Sequence, residues 1–361
     1  MDPKTMDTQH NRIKVLDGFR GLAILLVVGY HYYSFFSFGW VGVDLFFVLS
    51  GFLITGKLAV NAGSKNYYIN FYRKRFLRIV PLYYLILIFF FLLVPMFWPS
   101  LITSSYQQMI KEQAWYWSFS VNFYNAIYGW TDSIIFVPLW SIACEIQYYL
   151  IWPLLCSLLF RKQQWAIGAL IGLAAFALIF RLFAGGFFSL QPEFRYVLLP
   201  ARIDSFSIGA LLYFFSKEAK YHWMLHKGWL LAAACLTAAV AMMIVAKETW
   251  QFGSQMVSRY GYTMNALFWA GVMGATLQQA RGLVQFFQAR WLVAAGKYSY
   301  GVYLLHVPVK VLVVKWFKNH APAASIHGQL LLSLLLTAGL AFLSYYLLEK
   351  RLLNYKRVSI K

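Results

Sequence analysis

Three side chains capable of chemistry stand in the first apolar stretch of the chain, Leu16 to Phe36: Asp17, Arg20 and His31. An ionisable group at the centre of a membrane helix costs roughly 2.5–3.5 kcal/mol, so three in one span call for a site or a partner rather than packing alone. At about 100° per residue, Arg20 and His31 return to one face of a helix, and Asp17 falls within roughly 40° of the same line. Such a stripe can take up a proton at the imidazole and contact an anion at the guanidinium, with the carboxylate holding the guanidinium in place. The competing reading is an intramembrane Asp17–Arg20 pair beside a structural histidine.

The remaining acids are few enough to sort individually. Of 12, five (Asp17, Asp44, Glu145, Asp204 and Glu349) lie within or at the ends of apolar runs, and the others fall in tails or loops. In the topology set out below, His31, Asp44, Glu145, Arg202 and Asp204 occupy the outer halves of their helices, where a polar cavity open to the outside would collect them. The densest basic group, Arg73, Lys74, Arg75 and Arg78, immediately precedes an apolar run beginning Ile79-Val80-Pro81. Orientation charge or contact with anionic head groups explains it. So does a polyphosphate held at the cytoplasmic mouth of a bundle, with Arg as a bidentate fork and Lys as a point charge.

The elements that must position these residues follow from composition. The chain of 361 residues is 61% hydrophobic, 20% aromatic and only 12% charged, far beyond what a soluble core needs. Apolar runs of spanning length occur at Leu16–Phe36, Val41–Val60, Phe76–Phe97, Leu139–Phe160, Gln164–Ala184, Tyr196–Phe215, Gly228–Ala246, Arg259–Leu277, Tyr298–Phe317 and Gly328–Leu348. The expected fold is therefore all-α: a polytopic membrane helix bundle of about ten transmembrane helices, forming a single domain over residues 1–361. A cytoplasmic N-terminus puts twenty-two of the 32 Lys and Arg residues on the inner side, so both termini are expected in the cytoplasm. This bias accounts for the net charge of +20 without nucleic acid as a partner.

Residues 1–14 then form a cytoplasmic tail leading into an uncleaved first helix, and 349–361 form a basic cytoplasmic tail with no soluble domain after it. The aromatic segment 98–138 stays on the outer side, interfacial or re-entrant, because an eleventh span would spoil the charge bias. Cys144, Cys156 and Cys235 lie in apolar runs with neither disulfide nor metal-ligand spacing, so no metal is expected.

Leu16-Asp17-Gly18-Phe19-Arg20-Gly21-Leu22-Ala23 with His31 closely resembles the signature of the acyltransferase 3 family of integral membrane acyltransferases. Gly42-Val43-Asp44-Leu45-Phe46-Phe47-Val48-Leu49-Ser50-Gly51-Phe52 is similar to the family's second span. Phe71-Tyr72-Arg73-Lys74-Arg75 with Arg78 and Pro81 is similar to its basic motif. Trp140-Ser141 followed by Glu145, Gln147, Tyr148, Tyr149 and Trp152-Pro153 resembles a further block. Arg202-Ile203-Asp204 with Gly209, Tyr298-Ser299-Tyr300 with Tyr303 and His306, and Glu349 are fainter echoes. Two departures stand out. Ile146 replaces a second acid after Glu145, leaving that carboxylate alone, and Lys350 and Arg351 follow Glu349 where a proline is expected soon after the acid.

The resemblance implies an O-acyltransferase in a bacterial plasma membrane. It would pass an acyl group, acetyl first among the candidates, from cytoplasmic acyl-CoA to a hydroxyl of a surface glycan or lipid-linked sugar. Membrane lipids are its other expected partners. In this picture Arg73, Lys74, Arg75 and Arg78 hold the CoA nucleotide, Arg20 contacts the pantetheine arm or its phosphate, Asp17 holds Arg20, and His31 is the general base, with acyl transfer through the histidine a further option. Glu145 or Asp44 would orient the imidazole. Asp44, Ser141, Gln147, Arg202, Asp204 and His306 are the expected substrate contacts. A proton-coupled transporter would also bury Arg, His and Asp in ten spans, and a non-catalytic glycan or lipid receptor would not need His31.

Overall fold

The computed structural model describes residues 3–33, 36–130, 134–159 and 163–352, and every described element is helical. The principal helices are α1 (Pro3–Tyr32), α2 (Val41–Val60), α3 (Tyr67–Phe97), the short α4 (Ser104–Lys111), α5 (Gln113–Trp117) and α6 (Val121–Tyr128), then α7 (Leu139–Leu159), α8 (Gln163–Phe187), α9 (Leu199–Lys217), α10 (Gly228–Ala246), α11 (Tyr262–Leu277), α12 (Arg281–Phe287), α13 (Arg290–Lys297), α14 (Ser299–His320) and α15 (Ile326–Ser344).

Nine helices among the described residues are long and apolar enough to cross a membrane, against about ten expected. The difference is at Arg259–Leu277, which is helical, as a π turn over Val257–Gly261 continued by the 16-residue α11, but is not among the nine. The protein is an integral, multi-pass membrane protein. Segment 98–138 contains no spanning helix among its described residues: α4, α5 and α6 have 8, 5 and 8 residues, too short to cross about 30 Å of hydrocarbon. In this segment Tyr124 donates to Glu112 at 2.6 Å. Burial first, and then that carboxylate, raise the phenol's pKa, so it remains a donor. Helix α1 runs from Pro3, with its candidate membrane span starting at Lys14. One boundary differs from expectation: α3 begins at Tyr67, so the basic cluster lies on the helix rather than before it. Asp132, Arg161, Lys162 and the tail from Leu353 lie outside the described residues.

The chain divides into two compact units. One comprises the chain up to Ser64 with Leu150–Lys297, the other Lys65–Tyr149 with the chain from Tyr298 onward. In the first, α9 is the central helix, packed by α2, α8 and α11, while α1 packs on α2 and α13. Glycines set these distances. A Cβ added to Gly18 would stand 1.8 Å from the Phe287 carbonyl oxygen, one on Gly21 2.0 Å from that of Leu292, and one on Gly296 1.8 Å from that of Asp17. Helix α1 therefore meets α12 and α13 backbone to backbone around the Asp17–Arg20 pair, as small residues permit within membranes. Gly51 against Phe206 and Gly209 against Val48 do the same between α2 and α9, at 2.0 Å each. In the second unit α14 packs on α15 and α3.

Candidate functional site

On α1, Arg20 Nη1 donates to Asp17 Oδ1 at 2.7 Å, and the two side chains retain 21% and 25% of their surface. Their neighbours Val15, Leu16 and Phe19 are buried, so the pair forms an accessible polar strip beside packed apolar residues. Farther along, half-buried His31 has its Nδ1 2.9 Å from the Val27 carbonyl. A carbonyl only accepts, so Nδ1 carries the hydrogen, and whenever the ring is neutral its lone pair falls on Nε2. Because α1 is continuous between them, Arg20 and His31 stand about 16 Å apart along the axis.

Asp44, Arg202 and Asp204 occupy a different environment. Arg202 Nη2 donates to Asp44 Oδ1, and both side chains are wholly buried. Asn265 Nδ2 donates to the second Asp44 oxygen at 2.9 Å. Arg202 also lies under the rings of Tyr262, Tyr196 and Phe47, at 4.2, 5.3 and 5.5 Å. Two residues on, Asp204 Oδ2 accepts from Arg181 Nη1 at 2.9 Å and from Thr263 at 2.6 Å, again with no exposed surface on either ion. These carboxylates and guanidiniums neutralise each other between α2, α8, α9 and α11. The expectation that Asp44, Arg202 and Asp204 line an open polar cavity is corrected on this point: they have no surface to offer a ligand.

The second unit holds the other candidates. The basic cluster is split by its helix: Arg73 and Lys74 are exposed, Arg78 is half-buried and Arg75 keeps only 8% of its surface. The Arg75 guanidinium sits 5.2 Å from the Tyr149 ring centre and 5.8 Å from that of Phe71. Tyr149 in turn donates to half-buried Glu145, so Arg75, Tyr149 and Glu145 form a connected series on α3 and α7. Arg78 is within electrostatic reach of Glu349. Ser141 Oγ lies 2.5 Å from Tyr303 Oη, and both reach the Pro138 carbonyl, at 3.0 and 3.2 Å. Buried His306 has its Nδ1 2.7 Å from the Tyr303 carbonyl. Gln147 and Asn122 exchange reciprocal amide bonds of 2.9 and 3.0 Å, and Gln147 also donates to the Phe119 carbonyl. Among the described residues no three His, Cys, Asp or Glu side chains are grouped as metal ligands.

Sequence reasoning gave no site role to Arg181, Asn265, Thr263 or Tyr303. Arg181 carried the signal, being a base inside an apolar run. Its partner lies 23 residues away on another helix, and nothing in the local pattern names it.

The acyltransferase 3 family, described as an acyltransferase domain, matches residues 13–348. The chain belongs to this family. Among its relatives, O-acetyltransferase OatA of Staphylococcus aureus (strain NCTC 8325 / PS 47) is 25% identical over 92% of this chain and 56% of its own length. Peptidoglycan O-acetyltransferase OatA of Listeria monocytogenes serovar 1/2a is 33% identical over a shorter stretch, 40% of this chain and 25% of its own length. The chain thus spans about half the length of the curated relatives it matches. No solved structure matches.

Proposed function

We propose that this acyltransferase 3 protein transfers an acyl group, acetyl in the first instance, from acyl-CoA to a hydroxyl of a cell-surface or lipid-linked glycan. The observation that carries the reading is the state of His31. With its Nδ1 turned to the Val27 carbonyl, the neutral imidazole holds its lone pair on Nε2, the form a general base requires. The names of the OatA relatives support O-acetylation as the reaction and a peptidoglycan-like acceptor.

His31 takes the proton of the acceptor hydroxyl as its oxygen attacks the thioester carbonyl, and the CoA thiolate leaves. Arg20, held by Asp17, lies about 16 Å along α1, within reach of the pantetheine arm of a donor whose thioester is near His31. Taken by itself, the Arg73–Arg78 segment of the second unit has the chemistry for nucleotide phosphates. Arg73 and Lys74 meet them from solvent, while Arg75 and Arg78 supply the fixed inner contacts. Glu145, tied to Tyr149 and through its ring to Arg75, is the carboxylate that responds to donor binding. Gln147 is the remaining substrate contact with surface to offer, Ser141 keeps only a little, and His306, as fully buried as Asp44 and Arg202, is given no contact. In this reading both termini and the basic segment face the cytoplasm.

Purified protein in nanodiscs, given labelled acetyl-CoA and a disaccharide, tests the proposal. O-acetyl disaccharide is the expected product, with cysteine labels at Lys65 and Lys220 reacting from the cytoplasmic side and one at Lys318 from the opposite side. Solute movement without thioester turnover would show a transporter instead.

A further inference from the structure

A cavity of about 380 Å³ lies within the first unit, bounded by α1, α2, α10 and α11 and lined by Leu26, Val41, Met243, Trp250 and Phe268 among other apolar side chains. This is the size of a small-ligand pocket. Its polar lining includes Asn265, whose amide nitrogen is already given to Asp44. A nucleotide or free sugar would lose hydrogen bonds on entering, and water would find few partners, since apolar cavities stay dry. A hydrocarbon chain loses nothing. The α10 wall is continuous with the bilayer-facing surface: Leu236 and Val240 border the cavity while keeping 58% and 43% of their surface exposed, and Ile244 on the next turn keeps 71%.

Two features identify the chain that belongs there. Leu26 is five residues before His31 on α1, about 7.5 Å along the axis and roughly 140° around it, so a tail in the cavity ends below the level of the imidazole and its polar head reaches His31 only by passing around α1. Beyond Trp250 there is uncompensated positive charge. A Cβ on Gly261 would meet the Trp250 ring at 3.3 Å, and Arg259 stands two residues before Gly261. Arg195 Nε donates to the Arg181 carbonyl, and Arg181 Nε donates to the Arg259 carbonyl, so the three arginines adjoin. Asp204 compensates Arg181, whereas no carboxylate among the described residues pairs with Arg195 or Arg259.

An apolar cavity beside unpaired guanidiniums and near the base suits an amphiphile with a phosphate at its head. We propose that this cavity is the tail site of the acceptor, so the glycan reaches His31 on a lipid carrier joined through phosphate, with Arg259 and Arg195 taking the phosphate. This rests on the reading of His31 as the base.

The first test is photolabelling of wild-type protein in nanodiscs with a diazirine-bearing dodecyl phosphate. Adducts are expected on the peptides containing Met243, Trp250 and Met264, and Ala239→Trp, which fills the cavity, should reduce them at least tenfold. Arg259→Gln should weaken labelling by dodecyl phosphate but not by the matching diazirine dodecanol. Equal labelling by a diazirine phosphatidylcholine would show a general bilayer-lipid site and overturn the assignment, as would adducts only elsewhere.

The second test compares acetyl transfer to a dodecyl-phosphate-linked disaccharide and to the free disaccharide. Ala239→Trp should lower kcat/KM at least tenfold for the linked acceptor alone. Equal loss for both, or none, would sink the proposal. If Ala239→Trp does not accumulate, the wild-type adduct map and Arg259→Gln decide. Wild-type protein that labels as described but never turns over acetyl-CoA would break the enzymatic reading and leave the tail site standing.

Discussion

Asp17 with Arg20 on α1 and Asp44 with Arg202 between α2 and α9 are chemically the same ion pair, yet the first keeps 25% and 21% of its side-chain surface and the second keeps none. The difference lies in what covers each helix. Helix α9 is wrapped by α2, α8 and α11, so its buried charges Arg202 and Asp204 must be answered inside the protein, and Asp44 for the first and Arg181 with Thr263 for the second provide the answers. Helix α1 is pressed on one side against α12 and α13 through Gly18, Gly21 and Gly296, which leaves its polar strip uncovered. Charge within a membrane span therefore marks either a joint or a site, and accessibility separates the two.

Substitutions should widen or erase this contrast. The largest effect is expected at His31. His31→Gln keeps hydrogen-bonding capacity without basicity at neutral pH and should lower kcat by about 10² to 10⁴ with donor binding retained, measured by single-turnover acetyl transfer. Wild-type rate should fall on acidification, because protonation removes the lone pair on Nε2, and the variant's residual rate should lack that limb. Near wild-type turnover by His31→Gln would return α1 to the class of joints.

Next comes the closed network. Arg202→Met strands the Asp44 carboxylate and should destabilise the protein by about 3–5 kcal/mol, read as a lowered thermal midpoint in detergent, while Asp44→Leu with Arg202→Met should recover much of the loss. A single variant that stays folded but loses acceptor affinity would instead make this network a binding site.

The donor contacts are expected to be smaller individually. Arg75→Gln with Arg78→Gln should raise the KM for acetyl-CoA, at roughly 1.5–3 kcal/mol per lost charge-assisted contact, with protein level and orientation unchanged. Unaltered donor kinetics with inverted orientation would leave the segment as a topology signal.

The smallest change in stability is expected at Arg20→Gln, about 0–1 kcal/mol because the pair is partly solvated, together with a clear fall in kcat/KM for the donor. A stability loss matching that of Arg202→Met would abolish the distinction between the two pairs.

Composition and the lengths of the apolar runs determined the membrane helix bundle, because about 30 Å of hydrocarbon admits only long apolar helices with internally satisfied backbones. Spacing determined the Asp17–Arg20 pair, since residues three apart on one helix meet whatever surrounds them. The motifs of the first two spans pointed to the family. Only the tertiary structure decided which charges are sealed, because Asp44 and Arg202 are 158 residues apart and Arg181 and Asp204 lie on different helices. It also divided the basic segment, turning Arg75 inward under Tyr149 and leaving Arg73 and Lys74 exposed. A one-dimensional pattern shows which residues share a helical face, but whether that face meets lipid, ligand or another helix depends on packing across long sequence separations, as with the backbone contacts that Gly18, Gly21 and Gly296 allow.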